Sequence, residues 1–182
     1  MVLFEELLID PVLNVGAVVI LFALFATSAF EKLKDVETFK NVLDGYKLVP
    51  PVVLTPLSLV IPVLELTSAL SLVMEATRSF GLVLAGGLLL IYSFVIGVSV
   101  LRGFQGIDCG CGTDHVPISW ALLMRNIFVF TLPVIAFLPI ADRQYGWLDI
   151  GLTAFLVIFW IAAYSLVNVL IRNDSLFQQL DS

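Results

Sequence analysis

Five apolar runs, each long enough to cross a bilayer, constrain this chain more than any other feature. They are Pro11 to Phe30, Val52 to Met74, Phe80 to Leu101, Ile118 to Ile140 and Trp147 to Ile171. A hydrocarbon core about 30 Å thick needs roughly 20 apolar residues in helical form. Inside lipid, every backbone polar group must find its partner within the protein, so runs of this length become helices. The expected fold is an all-α membrane protein, a bundle of about five transmembrane helices. Composition agrees: 60% of the 182 residues are apolar and 13% are charged, too little polar surface for a water-soluble domain. No linker or repeat divides the chain, so residues 1–182 read as a single transmembrane domain.

The expected partner of such a surface is the lipid bilayer. Nine Lys and Arg, dispersed in a chain of net charge −6, give no footprint for nucleic acid. Met1 to Asp10 holds no Lys or Arg and no small-residue cleavage site, so the first run is expected to stay as a helix. Asp10 before Pro11 has the form of a helix cap followed by proline at the first position. Pro56, Pro62 and Pro133 lie within apolar runs, where kinks and not breaks are expected. Gly81, Gly86, Gly87 and Gly97 give the third run a small-residue surface, which suggests a place at the bundle centre.

Two connections are long enough to carry structure. The first, Glu31 to Pro51, holds four Lys and four acids, with Leu33, Val36, Phe39, Leu43 and Tyr46 at helical spacing. It is expected to form an amphipathic interfacial helix closed by a turn at Asp44-Gly45. The second, Arg102 to Pro117, holds both cysteines. Five passes put these loops on one side, with six Lys and Arg there against two opposite. By the positive-inside rule alone, that side faces the cytoplasm.

The cysteines stand as Cys109-Gly110-Cys111. Sulfurs at i and i+2 can bond only across a sharp turn, which glycine permits. So small a ring suits a labile, exchanging disulfide better than a structural staple. His115, the lone histidine, and the helix expected from near Ser119 can stabilise a thiolate, whereas Asp108 and Asp114 oppose one. Two alternatives stay open: an inert reduced pair, or three metal ligands from Cys109, Cys111 and His115, although structural zinc prefers four. The expected metal content is none.

Glu65 and Arg125 are intramembrane charges, and such groups usually face the bundle interior with a partner. They are expected to be structural, either paired with each other or with Arg125 snorkelling and Glu65 buried as the neutral acid. Trp147, Trp160 and Tyr164 are expected as lipid-facing or interfacial anchors.

Ile107-Asp108-Cys109-Gly110-Cys111-Gly112, followed by Pro117-Ile118-Ser119-Trp120 and Arg125-Asn126, resembles the methylamine-utilisation protein MauE family. Lys32-Leu33, Asp35, Phe39, Tyr46, Pro50-Pro51 and Pro62 with Glu65 are similar to the wider DoxX-like membrane proteins. The resemblance implies a bacterial inner-membrane protein needed for maturation of methylamine dehydrogenase. The small subunit of that enzyme is disulfide-rich and folds in the periplasm, and a thioredoxin-like protein of the MauD type is implied as partner. The architecture also resembles vitamin K epoxide reductase-type thiol oxidoreductases, which places the cysteine loop in the periplasm, against the charge count. An oxidising compartment suits disulfide chemistry. Thiol–disulfide oxidoreductase activity is thus the expected function, with a non-redox scaffold or export factor as the alternative. No cofactor is required by the residues; a quinone is possible as electron acceptor, because the chain has no second cysteine pair.

Overall fold

The computed structural model describes residues 8–103, 109 and 116–180, with side chains described to residue 173. Its elements are α1 (Pro11–Lys34), α2 (Val36–Gly45), α3 (Pro51–Val73), a one-turn 3₁₀ helix (Glu75–Thr77), α4 (Arg78–Leu101), α5 (Trp120–Phe137) and α6 (Trp147–Leu180). Five helices are long and apolar enough to cross a membrane, and no strand occurs among the described residues. The chain is therefore a multi-pass, all-α membrane protein. The helices run unbroken through Pro56, Pro62 and Pro133.

The centre of the bundle is α1, not α4 as its glycines suggested. α1 packs extensively on α3, α5 and α6, whereas the extensive contacts of α4 among the spanning helices are with α3 and α5. The α4 glycines serve pairwise approach instead. A Cβ on Gly81 would sit 3.0 Å from the Leu72 backbone nitrogen and 3.1 Å from the Ser68 carbonyl oxygen, so α3 and α4 meet closely only because it is absent. Ser68 adds a side-chain hydrogen bond to the Gly81 carbonyl at 3.0 Å. Gly87 has no neighbour within 4 Å of such a Cβ and contributes nothing of this kind.

The end opposite the long loops is tied by polar contacts. Asp10 caps α1, its Oδ1 accepting from the Val12 amide at 2.9 Å, with Pro11 at the first helical position. Ile9 pairs with Ile140 in an isolated parallel bridge. The Arg143 guanidinium then forks between two carboxylates, reaching Asp10 Oδ1 at 2.9 Å and Asp149 Oδ1 at 2.8 Å. Asp149 stands in the first turn of α6, where a carboxylate complements the helix dipole. Asn14 donates to the Ala136 carbonyl at 2.9 Å, satisfying one of the last-turn acceptors of α5.

The fork predicts an acid response. Hydrogen bonds from Arg143, then from the Val12 amide, hold the Asp10 carboxyl below its ordinary 3.8. A depressed carboxylate contributes stability that is present above the ordinary value and is lost as pH falls through the folded one. Melting in detergent is expected to drop modestly below about pH 4, and Arg143→Ala is expected to abolish most of that step. An unchanged acid step in Arg143→Ala would assign it to other carboxylates.

The first long loop departs from expectation at its start. Residues 31–34 belong to α1, which runs one turn beyond the apolar run. The chain then breaks at Asp35, which caps α2 by accepting from the Thr38 amide at 3.0 Å. α2 is short and amphipathic, buries Phe39, and packs on α3. The left-handed residue after it is Lys47, at φ 52°, and not Gly45. The helical extension has a large consequence, because it carries Lys32 inside the bundle.

Candidate functional site

Cys109 sits at the end of the bundle where both long loops meet. Its carbonyl accepts from the Tyr46 hydroxyl at 2.7 Å, and its amide donates to the Val116 carbonyl at 2.9 Å. Tyr46 follows α2, while Val116 leads into α5, whose start is capped by Ser119 accepting from the Leu122 amide at 3.2 Å. The two loops are thus joined through the cysteine's own backbone. Ile96 and Val100 of α4, with Ile118 and Leu122, complete an apolar shell around it. Cys109 is disulfide-bonded and only 4% exposed. Tyr46 and this shell therefore screen Cys109. Cys111, His115 and the neighbouring Asp108, Gly110, Gly112 and Asp114 lie outside the described residues, as do the ring turn and the three-ligand metal alternative built on them.

Glu65 lies in the interior of α3 at 1% exposure, but its partner is not Arg125. Lys32 Nζ reaches Glu65 Oε1 at 2.5 Å, the Tyr92 hydroxyl donates to the same oxygen at 2.5 Å, and Ser28 donates at 3.1 Å. Three donors from α1 and α4 thus converge on one carboxylate oxygen. Lys32 also donates to Ser28 at 2.9 Å, and its charge lies 5.1 Å from the ring centroids of both Phe39 and Tyr92. Glu65 Oε2 is buried and makes no hydrogen bond among the described residues. An ion pair so enclosed is strongly favoured over either charge alone.

Arg125 is buried as well, which removes the snorkelling alternative. It donates to Asn168 of α6 at 2.5 Å and to Asn126 at 3.2 Å, and its guanidinium lies 4.9 Å from the Tyr164 ring centroid. Tyr164, stacked on Trp160 at 5.2 Å, is therefore a packing partner of Arg125 and no lipid anchor. Trp147, 89% exposed, is placed as an anchor would be. Glu65 and Arg125 both line one small cavity of about 50 Å³, although each takes its hydrogen bonds elsewhere.

The residues missed from sequence are Lys32 and Tyr92. Lys32 was hidden among the alternating charges of the first loop. A signal was present: Leu21, Phe25, Ala29 and Lys32 fall on one buried stripe of α1, so the helical period continues through the lysine.

A larger cavity, about 230 Å³, lies between the buried ion pair and the cysteine, lined by Lys32, Tyr92, Tyr46 and Cys109 among mostly aliphatic side chains. A buried ion pair, an apolar cavity and a screened cysteine among five spanning helices define a class: a polytopic membrane protein with a cysteine held at its loop end. The sequence model described as "Methylamine utilisation protein MauE" matches residues 9–140, and the chain belongs to that family. Proteins named methylamine utilization protein MauE are similar along most of the chain. That of Paracoccus versutus is 35% identical, covering 85% of this chain and 86% of the relative. That of Methylorubrum extorquens is 34% identical over 83% and 87%, and that of Paracoccus denitrificans 33% over 70% and 69%. No solved structure matches the chain.

Proposed function

We propose that this protein serves methylamine utilisation as a membrane thiol–disulfide oxidoreductase, acting in disulfide formation of the methylamine dehydrogenase small subunit. Its exchange partner is a thioredoxin-like periplasmic protein of the MauD type, and its cysteine end faces the periplasm across the inner membrane. The observation that carries this reading is the disulfide-bonded Cys109, its backbone held at one end of the bundle by hydrogen bonds to the Tyr46 hydroxyl of the first long loop and the Val116 carbonyl of the second. A structural staple in a loop this short would add little stability. In the step itself, a partner thiolate attacks the disulfide and a new intermolecular S–S bond forms. Cys109 or Cys111 leaves as thiolate, and a second partner thiol completes the exchange. The partner is oxidised by two electrons and the Cys109–Cys111 pair is reduced by two.

The test is the double variant Cys109→Ser with Cys111→Ser in methylamine-grown cells. Small subunit with its full set of disulfides is expected to fall to background, whereas membrane level of the variant stays normal. Full maturation in the double variant would make the protein a scaffold and overturn the redox role.

A further inference from the structure

We infer that the cavity of about 230 Å³ between Lys32 and Cys109 is a binding site for the head group of a lipid-soluble quinone, which reoxidises the cysteine pair; this rests on the thiol-exchange reading above. Four observations on this cavity agree. Its size suits a single substituted ring. Its wall includes Val60 of α3 and Ile91 of α4, both exposed on the outer surface of spanning helices, so a ligand can enter from the hydrocarbon phase and leave its tail there. Its lining is almost wholly apolar, unsuited to the phosphates of a nicotinamide or flavin nucleotide. Its few polar groups, Lys32, Tyr46 and Tyr92, stand among aliphatic and aromatic side chains.

One of those groups is Lys32. Its ammonium has three donors: one goes to Glu65, one to Ser28, and the third faces the Tyr92 oxygen at 3.5 Å, beyond a good hydrogen bond. That third donor is free to turn to a carbonyl oxygen in the cavity. Cys109 lines the same cavity, so ring and Cys109 share one enclosure. Need as well as fit points this way. The chain has no cysteines beyond Cys109 and Cys111, so a pair reduced by exchange must pass its electrons to something else. In the step, the two thiols lose two electrons and two protons and the S–S bond closes. The quinone takes both pairs, and its two carbonyls become hydroxyls.

The experiment uses the full-length protein in detergent with a short-chain ubiquinone as probe. Protein reduced with dithiothreitol and freed of it is expected to reduce one quinone per chain, read from the loss of quinone absorbance. Oxidised protein is expected to bind the probe saturably, read as a rise in melting temperature. Ile61→Trp, which fills the cavity from α3, should weaken binding about tenfold or more. Val60→Trp at the lipid-facing mouth should do the same if Ile61→Trp fails to fold. No saturable binding by a parent protein whose disulfide still exchanges with a thioredoxin would remove the quinone site and leave the thiol reading standing. Saturable binding without any thiol exchange would retain the site and remove the exchange reading. Equal affinity in the parent and a folded tryptophan variant would move the quinone out of this cavity.

Discussion

A Cys109→Ser variant is expected to trap the thioredoxin-like partner as a stable mixed disulfide, and Cys111→Ser is expected to trap almost none. The asymmetry follows from access. Exchange rates depend on which sulfur an incoming thiolate can reach, and Cys109 is screened by Tyr46, Ile96, Ile118 and Leu122. Attack is therefore directed at Cys111, and Cys109 is the leaving thiolate that later closes the ring. In Cys109→Ser the Cys111 thiolate attacks the disulfide of an oxidised partner and releases one partner thiol; no thiol of this chain can expel the partner, and alkylating the released thiol at harvest retains the adduct. Without Cys111 the remaining thiol is buried and the adduct does not form. Non-reducing gels of membranes from cells making each variant would show it. Equal trapping by both variants, or trapping by Cys111→Ser alone, would reverse the assignment. Tyr46→Phe offers a graded control. Loss of the hydroxyl that donates to the Cys109 carbonyl should loosen the screen and let some adduct form on Cys109 in Cys111→Ser.

The fold was legible because lipid enforces it. Runs such as Phe80 to Leu101 admit one backbone solution, and the observed α4, Arg78–Leu101, starts two residues earlier. Caps were legible for the same local reason, as Asp10-Pro11 and Ser119 show. Packing order was not. Glycine content placed α4 at the centre, but a small-residue surface permits close approach to one neighbour without fixing how many neighbours there are. α1, with a single glycine in Gly16, buries more of itself because three spanning helices surround it.

The site was half legible. The Cys-Gly-Cys spacing was visible as unusual because its ring demands a sharp turn, and the depth of Glu65 because an acid conflicts with ordinary membrane-helix composition. Their partners were not. Pairing Glu65 with Arg125 assumed that the two deepest charges find each other. Lys32 is closer because α1 extends through the loop's first four residues, and the only mark of its burial is the period of Leu21, Phe25 and Ala29 continuing through it. Tyr92 was silent as well. An aromatic in an apolar helix reads as packing until a carboxylate is seen 2.5 Å from its hydroxyl.

Lys32→Met and Glu65→Gln are each expected to lower stability in detergent by about 3–5 kcal/mol, and the double variant by much less than their sum. Each single change leaves a charge or a cluster of donors in the bundle interior without its counter-group. Glu65→Gln leaves the Lys32 ammonium among Phe39, Tyr92 and Ser28, where π faces and one hydroxyl replace a full negative charge. Lys32→Met leaves the Glu65 carboxylate with only the Tyr92 and Ser28 hydroxyls on one oxygen and no hydrogen bond on the other among the described residues. The double variant holds no orphan charge, and its amide oxygen still accepts from Tyr92. Methionine also fills the lysine's stem volume, so packing on Phe39 is retained. Denaturation followed by circular dichroism would give the cycle. A second cycle with Arg125→Met serves as comparison, because Arg125 donates its hydrogen bonds to Asn168 and Asn126 and not to Glu65. Coupling of Glu65 to Lys32 is expected to exceed its coupling to Arg125. The reverse order would restore the Glu65–Arg125 pair and make the Lys32 contact secondary.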